Sequence, residues 1–369
     1  MKKYFFLAAA ALVALAACSK SPLAESVNPA EGVDPDEIFT GSEKYPITFA
    51  SNVVTTKSMV KGGGSVEAWA GQTLYVYGIV RDVDADTLKW DSGVLVDNVP
   101  VVPVSGVKDT VMVRDAFDNP YYYDNSARYD FFGYYVDDAF VTGSETPENN
   151  AGTITLPIQI NGSQDVMLAY ADRDSAVKGT PYSAEKMFSA YGVRKNIIPN
   201  LKFKHQLSRF VFKVIKGDDP NSELAKLYVE SLSVESFANA DMTIVGENRG
   251  LAVPVDARKE YLPLTNRGVA FEPVLVEGTV PQALGESVMV MPGEENYNIK
   301  VGVGFLPTGE SETIHQIVEG LKIPVSGGAQ AGKSYTITLT VYNLQTVIVS
   351  VDLEPWDTDT DPITIGQDE

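Results

Sequence analysis

The stretch Leu207-Ser208-Arg209-Phe210-Val211-Phe212-Lys213-Val214-Ile215 puts Phe210, Phe212 and Val214 on one side of an extended chain and Val211, Lys213 and Ile215 on the other. Successive side chains of a strand point to opposite faces, so this two-residue period is a strand signature; a helix repeats its apolar positions about every 3.6 residues. Working outward, the period returns near the C-terminus, where Val347, Val349, Val351 and Leu353 alternate with Ile348, Ser350 and Asp352. Other runs rich in β-branched and aromatic residues have strand length: 47–50, 73–80, 130–136, 153–160, 165–170, 228–234, 288–291, 299–305 and 334–342. Turn residues such as Asn161-Gly162 flank them. Helical periodicity is weak, and 181–191 and 222–227 are the best candidates for a short helix. Many short strands without a strand–helix–strand rhythm predict an all-β protein built of antiparallel sandwiches.

The chain has 369 residues, 29 basic and 49 acidic, for a net charge of −20. So acidic a surface lacks the Lys/Arg surplus that phosphate contacts need, which argues against nucleic acid as a partner. A 44% hydrophobic and 21% charged composition is that of a globular protein rather than a disordered one. The single cysteine, Cys18, excludes an intrachain disulfide, and with only His205 and His315 beside it there is little material for a zinc site. The body fits two sandwich domains, 45–198 and 199–369, with the boundary at the Pro199 punctuation in 195–200.

The N-terminus reads as a targeting segment. Met1-Lys2-Lys3 is basic, Tyr4 to Ala17 is apolar but shorter than the ~20 residues of a spanning helix, and Leu15-Ala16-Ala17-Cys18 follows. This is the pattern of a bacterial lipoprotein signal: residues 1–17 are removed and Cys18 is acylated, tying the protein to a membrane. Residues 18–44 are polar, acidic and poor in apolar side chains, as expected of a flexible tether.

Catalytic motifs are missing from the sequence. There is no His-Glu-x-x-His, Gly-x-Ser-x-Gly or Gly-Lys-Ser/Thr phosphate loop. Gly62-Gly63-Gly64 reads as a hinge. His205 lies in a core-like strand context and reads as structural; His315 reads as part of an exposed strand. Asp82, Asp84 and Asp86 have the opening spacing of a calcium loop, but the sixth and twelfth positions are Thr87 and Gly93, where such a loop needs Gly and a carboxylate. Asp357, Asp359 and Asp361 read as turn chemistry, and Asp137-Asp138 has no visible acid–base partner. The expectation is a protein that is not an enzyme and carries no cofactor or metal. The aromatic run Tyr121-Tyr122-Tyr123, Tyr129, Phe131, Phe132, Tyr134 and Tyr135 leaves two readings open: an exposed platform for sugars or proteins, with Trp69 and Trp90 as further stacking surfaces, or the core and rim of adjacent strands.

Several stretches together resemble the fimbrillin family, lipoprotein pilin precursors of Bacteroidales-type bacteria. They are the lipoprotein signal and acidic tether; Pro46-Ile47-Thr48-Phe49-Ala50-Ser51 with Lys57 after it; Asp130-Phe131-Phe132-Gly133-Tyr134-Tyr135; Lys204 to Val214; Val288 to Gly293; and Gly332 to Leu339 with Val349 to Trp356. The family's pattern has Pro where this chain has Val136, and often Arg where it has Lys57. The resemblance implies two transthyretin-like β-sandwich domains and a structural subunit of an adhesive surface fimbrium. It implies export as an outer-membrane lipoprotein, proteolysis after the first strand, and polymerisation by donor-strand exchange. On this chain, Ile47 and Phe49 would be the plugs of the expelled strand and Lys57 the scissile residue. Val347, Val349, Val351, Leu353, Ile363 and Ile365, within 346–366, would supply the donor strand, whose alternating apolar side chains suit β-augmentation. The implied partners are other fimbrial subunits, the outer membrane through the lipid on Cys18, and host or bacterial surface ligands. An anchor or tip subunit, or a monomeric glycan-binding lipoprotein, is the alternative.

Overall fold

Strands make up nearly all the regular structure of the computed structural model, which describes residues 43–49, 73–82, 87–90, 93–101, 111–124, 126–137, 148–150, 152–218, 225–266 and 268–354. The chain divides into two units, Met1–Glu43 and Lys44–Glu369; the architecture below belongs to the second. Among the described residues, helix is confined to Arg173–Val177, a 3-10 turn at Ala184–Lys186, and Ala190–Arg194. The turn and the start of the second helix lie in the expected 181–191 segment. The expected helix at 222–227 is instead the start of the strand Ala225–Phe237 over its described part. Ala225, Leu227 and Val229 are buried there while Lys226 is exposed and Tyr228 half-buried, so facing a core at a two-residue period overrides helix propensity.

The N-terminal half is organised around Tyr129–Val136, which pairs with Leu74–Asp82 on one side and Val166–Tyr170 on the other. Every residue of Tyr129–Val136 is buried. Phe131 and Tyr135 belong to one hydrophobic cluster, Phe132, Tyr134 and Val136 to another. A strand covered on both faces needs no polar alternation, and Asp-Phe-Phe-Gly-Tyr-Tyr has none beyond Asp130. One cluster adds Leu74, Val76, Met167, Phe188 and Phe203; the other adds Ile154, Leu156 and Ile158 from Thr153–Gln159. Thr153–Gln159 pairs with Asn239–Val245, so one four-stranded sheet draws on both halves of the sequence.

The C-terminal half is a sandwich of two sheets. One has the order Gln282–Val290, Ser208–Lys216, Ser334–Val341, Val347–Glu354; the other has Lys259–Pro263, Ala225–Phe237, Asn296–Pro307, Ile314–Pro324. Phe210, Phe212 and Val214 are fully buried, as their alternation requires. Phe210 meets Tyr297 of the opposite sheet edge-on at 4.9 Å, an arrangement that aromatic quadrupoles favour. The Tyr297 hydroxyl donates to the Met291 carbonyl at 2.7 Å, and burial pushes that phenol well above its ordinary range. Ser208–Lys216 and Ser334–Val341 pair in parallel, whereas the other described pairings are antiparallel.

Candidate functional site

Within residues 45–49, Thr48–Phe49 is a short strand and Pro46 bridges to Tyr122, and the side chains of Ile47 and Phe49 turn inward. Ile47 is 0% and Phe49 3% exposed, while Pro46 and Thr48 are half-buried on the other face. Two separate segments hold it. Residues 121–123 take its first half: the Ile47 N–H donates to the Tyr121 carbonyl at 2.8 Å, and the Tyr123 N–H to the Tyr45 carbonyl at 2.9 Å. Residues 111–113 take its second half: Thr48 faces Met112, Phe49 faces Val111, and the Val113 N–H donates to the Ile47 carbonyl at 3.1 Å. The two holders are collinear halves of one interrupted strand. Between them 114–120 loops out, closed at its base by the Tyr121 N–H on the Val113 carbonyl at 3.0 Å and an Arg114–Pro120 bridge.

Beneath this seat lie Val113, Tyr123 and Phe131, all buried; Phe49 meets Phe131 edge-on with centroids 5.0 Å apart. The Tyr123 hydroxyl is buried without a hydrogen-bond partner, and burial beside Tyr129 raises its pKa far above the ordinary phenol value. At the mouth, the Arg194 guanidinium lies 5.6 Å over the Tyr45 ring and the Lys44 ammonium 5.5 Å over Tyr122. Burying Ile47 and Phe49 stabilises the segment by about 1.5–3 kcal/mol each. Its removal opens an apolar trough and leaves the Val113 and Tyr123 N–H groups and the Tyr121 carbonyl unpaired, a template for another strand.

The C-terminal strand Val347–Glu354 lies at the end of its sheet, antiparallel to Ser334–Val341, with Val347 facing Val341 and Leu353 facing Tyr335. Val347 is buried, and Val349 and Val351 pack partly against the core. Leu353 and Ile348 are 65% and 53% exposed. Three of the expected donor side chains are thus engaged within their own chain. Cys18, Lys57, Ile363 and Ile365 lie outside the described residues, as do Trp69, Asp84, Asp86 and 357–361.

The histidines are placed differently from each other. His205 Nδ1 lies 2.9 Å from Asp165 Oδ1, and both side chains are fully buried, out of reach of a substrate. His315 is exposed, 2.8 Å from Glu230 Oε2. Among the described residues no group of three or more His, Cys, Asp or Glu side chains is placed to hold a metal ion, and no helix is long and apolar enough to cross a membrane. Of the aromatic run, Tyr123, Tyr129, Phe131, Phe132, Tyr134 and Tyr135 are buried, Tyr121 is half-buried and Tyr122 is 38% exposed. Trp90 packs against the core. The run is therefore core and rim. A cavity of about 240 Å³ beside Tyr170, Arg81, Arg173 and Glu185 is lined mainly by charged groups. Two of them are already engaged: Arg173 pairs with the buried Asp130 at 3.2 Å, and Asp172 caps the helix that follows it. Sequence reasoning found the β-type run 47–50, which is strand at Thr48–Phe49 and lies outside the described residues from 50 on, but missed its seat. The only signal was the turn chemistry of Asp115-Ala116-Phe117-Asp118-Asn119.

The family model described as Fimbrillin-like matches residues 66–356. No curated protein sequence matches the chain. Among solved structures, the chain is similar to a fimbrial protein from Bacteroides vulgatus ATCC 8482, at 15% identity and a TM-score of 0.56 over 85% of this chain and all of that one. It is also similar to the fimbrial anchor protein Mfa2 from Porphyromonas gingivalis, at 12% identity and a TM-score of 0.37 over 85% of this chain and 98% of that one.

Proposed function

This chain belongs to the fimbrillin-like family, and from that premise we propose that it is a structural subunit of a cell-surface fimbrium that joins its neighbours by exchanging the strand Tyr45–Phe49. The observation that carries the reading is the seat. A five-residue segment fills an apolar trough with Ile47 and Phe49, is gripped by a few backbone hydrogen bonds, and precedes the other described strands in sequence. Such a strand separates from the body with one cut on its C-terminal side. The proposed sequence of events is export on the 1–17 signal, acylation of Cys18 for attachment to the outer membrane, cleavage after Lys57, and entry of another subunit's C-terminal strand into the vacated trough. Val347, Val349, Val351 and Leu353, then Ile363 and Ile365, alternate as a donor must. Since Val347, Val349 and Val351 already pack on their own chain, the segment beyond Glu354 is the part assigned to the neighbour. In this reading the body comprises two domains, 45–198 and 199–369, bridged by the sheet that pairs Thr153–Gln159 with Asn239–Val245. The protein works by binding and assembly, through other fimbrial subunits and surface ligands, and not as an enzyme.

The test is the N-terminus of the protein recovered from the cell surface. A start at Ser58 supports a polymerising subunit. A start at acylated Cys18, with 45–49 retained, refutes polymerisation through this seat and moves the protein to an anchoring role.

A further inference from the structure

Phe117 is 85% exposed, at the tip of the loop that springs from the middle of the seat. The loop is braced from inside. Asp115 Oδ1 accepts the backbone N–H of Phe117 at 2.9 Å and of Asn119 at 2.8 Å, and the Asn119 amide donates to Oδ2 at 3.1 Å. These bonds hold the Asp115 carboxyl below the ordinary carboxylate range, the Asn119 side chain contributing most. The Arg114 guanidinium donates to the Asp118 carbonyl at 2.7 Å and pairs with its carboxylate at 3.5 Å. Asp118 itself adopts φ 66°, the left-handed conformation that, after glycine, Asp and Asn enter most readily in tight turns. Nothing in these bonds needs an aromatic residue at the tip. The loop fixes a large apolar side chain in water, ready to contact a partner at little entropic cost.

Position selects the partner. The loop leaves the interrupted strand between Val113 and Tyr121, the two residues that bond Ile47. Any strand that replaces residues 45–49 passes the base of this loop, which puts the tip beside whatever chain supplies that strand. We propose that Phe117 is a docking anchor that packs against the second copy of this chain whose strand fills the trough. The inference rests on the strand-exchange reading and adds to it a contact outside the strand.

The experiment takes the purified full chain, removes the first strand by limited trypsin digestion, and follows SDS-resistant ladders over time for wild type, Phe117→Ser and Phe117→Leu. An aromatic anchor buried at an interface makes the Ser variant assemble about tenfold or more slowly, with Leu in between, because truncating such an anchor costs about tenfold or more in affinity. Melting of the uncut variants should match wild type. A photo-crosslinking phenylalanine analogue at position 117 should capture a second copy of the chain. Equal ladder rates for all three proteins, or a crosslinker that captures no second copy in a ladder-forming sample, overturns the anchor while leaving strand exchange intact. Absence of ladders in digested wild type overturns strand exchange, and the anchor with it.

Discussion

Replacing Ile47 by Ala should loosen the first strand without weakening the body. Ile47 is fully buried among Val113, Phe131 and Tyr123. Losing three carbons forfeits about 0.8 kcal/mol each in transfer free energy, and the cavity left behind brings the total to about 2.5–4 kcal/mol. The strand is held by its two inward side chains and a handful of backbone bonds, so the cheapest opening is its own detachment rather than global unfolding. The amides of residue 47, Val113 and Tyr123, all bonded across the seat, report that opening. At 1.4 kcal/mol per factor of ten, their exchange in Ile47→Ala should quicken by about fifty- to a thousandfold. Amides of the strand Ser208–Lys216, in the core of the other half, should exchange as in wild type. Hydrogen exchange with mass spectrometry resolves both sets. Seat amides that change less than about threefold, or both sets rising together, would refute a separately removable strand.

Three further outcomes follow from the packing. His205→Ala leaves the fully buried Asp165 carboxylate without its imidazole partner, and should lower the free energy of unfolding, read from urea midpoints, by about 3–5 kcal/mol. Gly78→Ala brings a Cβ to 2.7 Å from the Phe131 ring and 3.1 Å from Val96; overpacking of this kind should cost about 1–3 kcal/mol in the same assay. Asp172 caps Arg173–Val177, and its carboxyl is held below the ordinary carboxylate range mainly by the Ser175 hydroxyl. A depressed folded-state value means the cap contributes fully above about pH 4 and fades as pH falls through the folded pKa. The destabilisation caused by Asp172→Ala should accordingly be about 1 kcal/mol at neutral pH and shrink toward zero in acid.

Strands were legible wherever one face is buried and the other is wet. Phe210, Phe212 and Val214 alternate with Val211, Lys213 and Ile215, and their burial follows that alternation. The inward pair Ile47 and Phe49 was legible for the same reason. The aromatic run was ambiguous because Tyr129–Val136 is covered on both faces, which erases the polar half of the pattern. Long-range pairing was illegible: nothing local in Thr153–Gln159 names Asn239–Val245 as its neighbour. The seat was illegible too, since its halves, 111–113 and 121–123, are each too short to read as strands. They become one only when the loop 114–120 closes between them. At 222–227 local composition suggested a helix, and the sheet that Ala225–Phe237 shares with Asn296–Pro307 decided otherwise.

The most direct measurement is the structure of the assembled fibre at side-chain resolution, by cryo-electron microscopy. The account predicts that the trough over Val113, Tyr123 and Phe131 holds the C-terminal strand of a second copy, with its apolar side chains in the places of Ile47 and Phe49. Finding Tyr45–Phe49 of the same chain still in that trough, with subunits joined elsewhere, would contradict it.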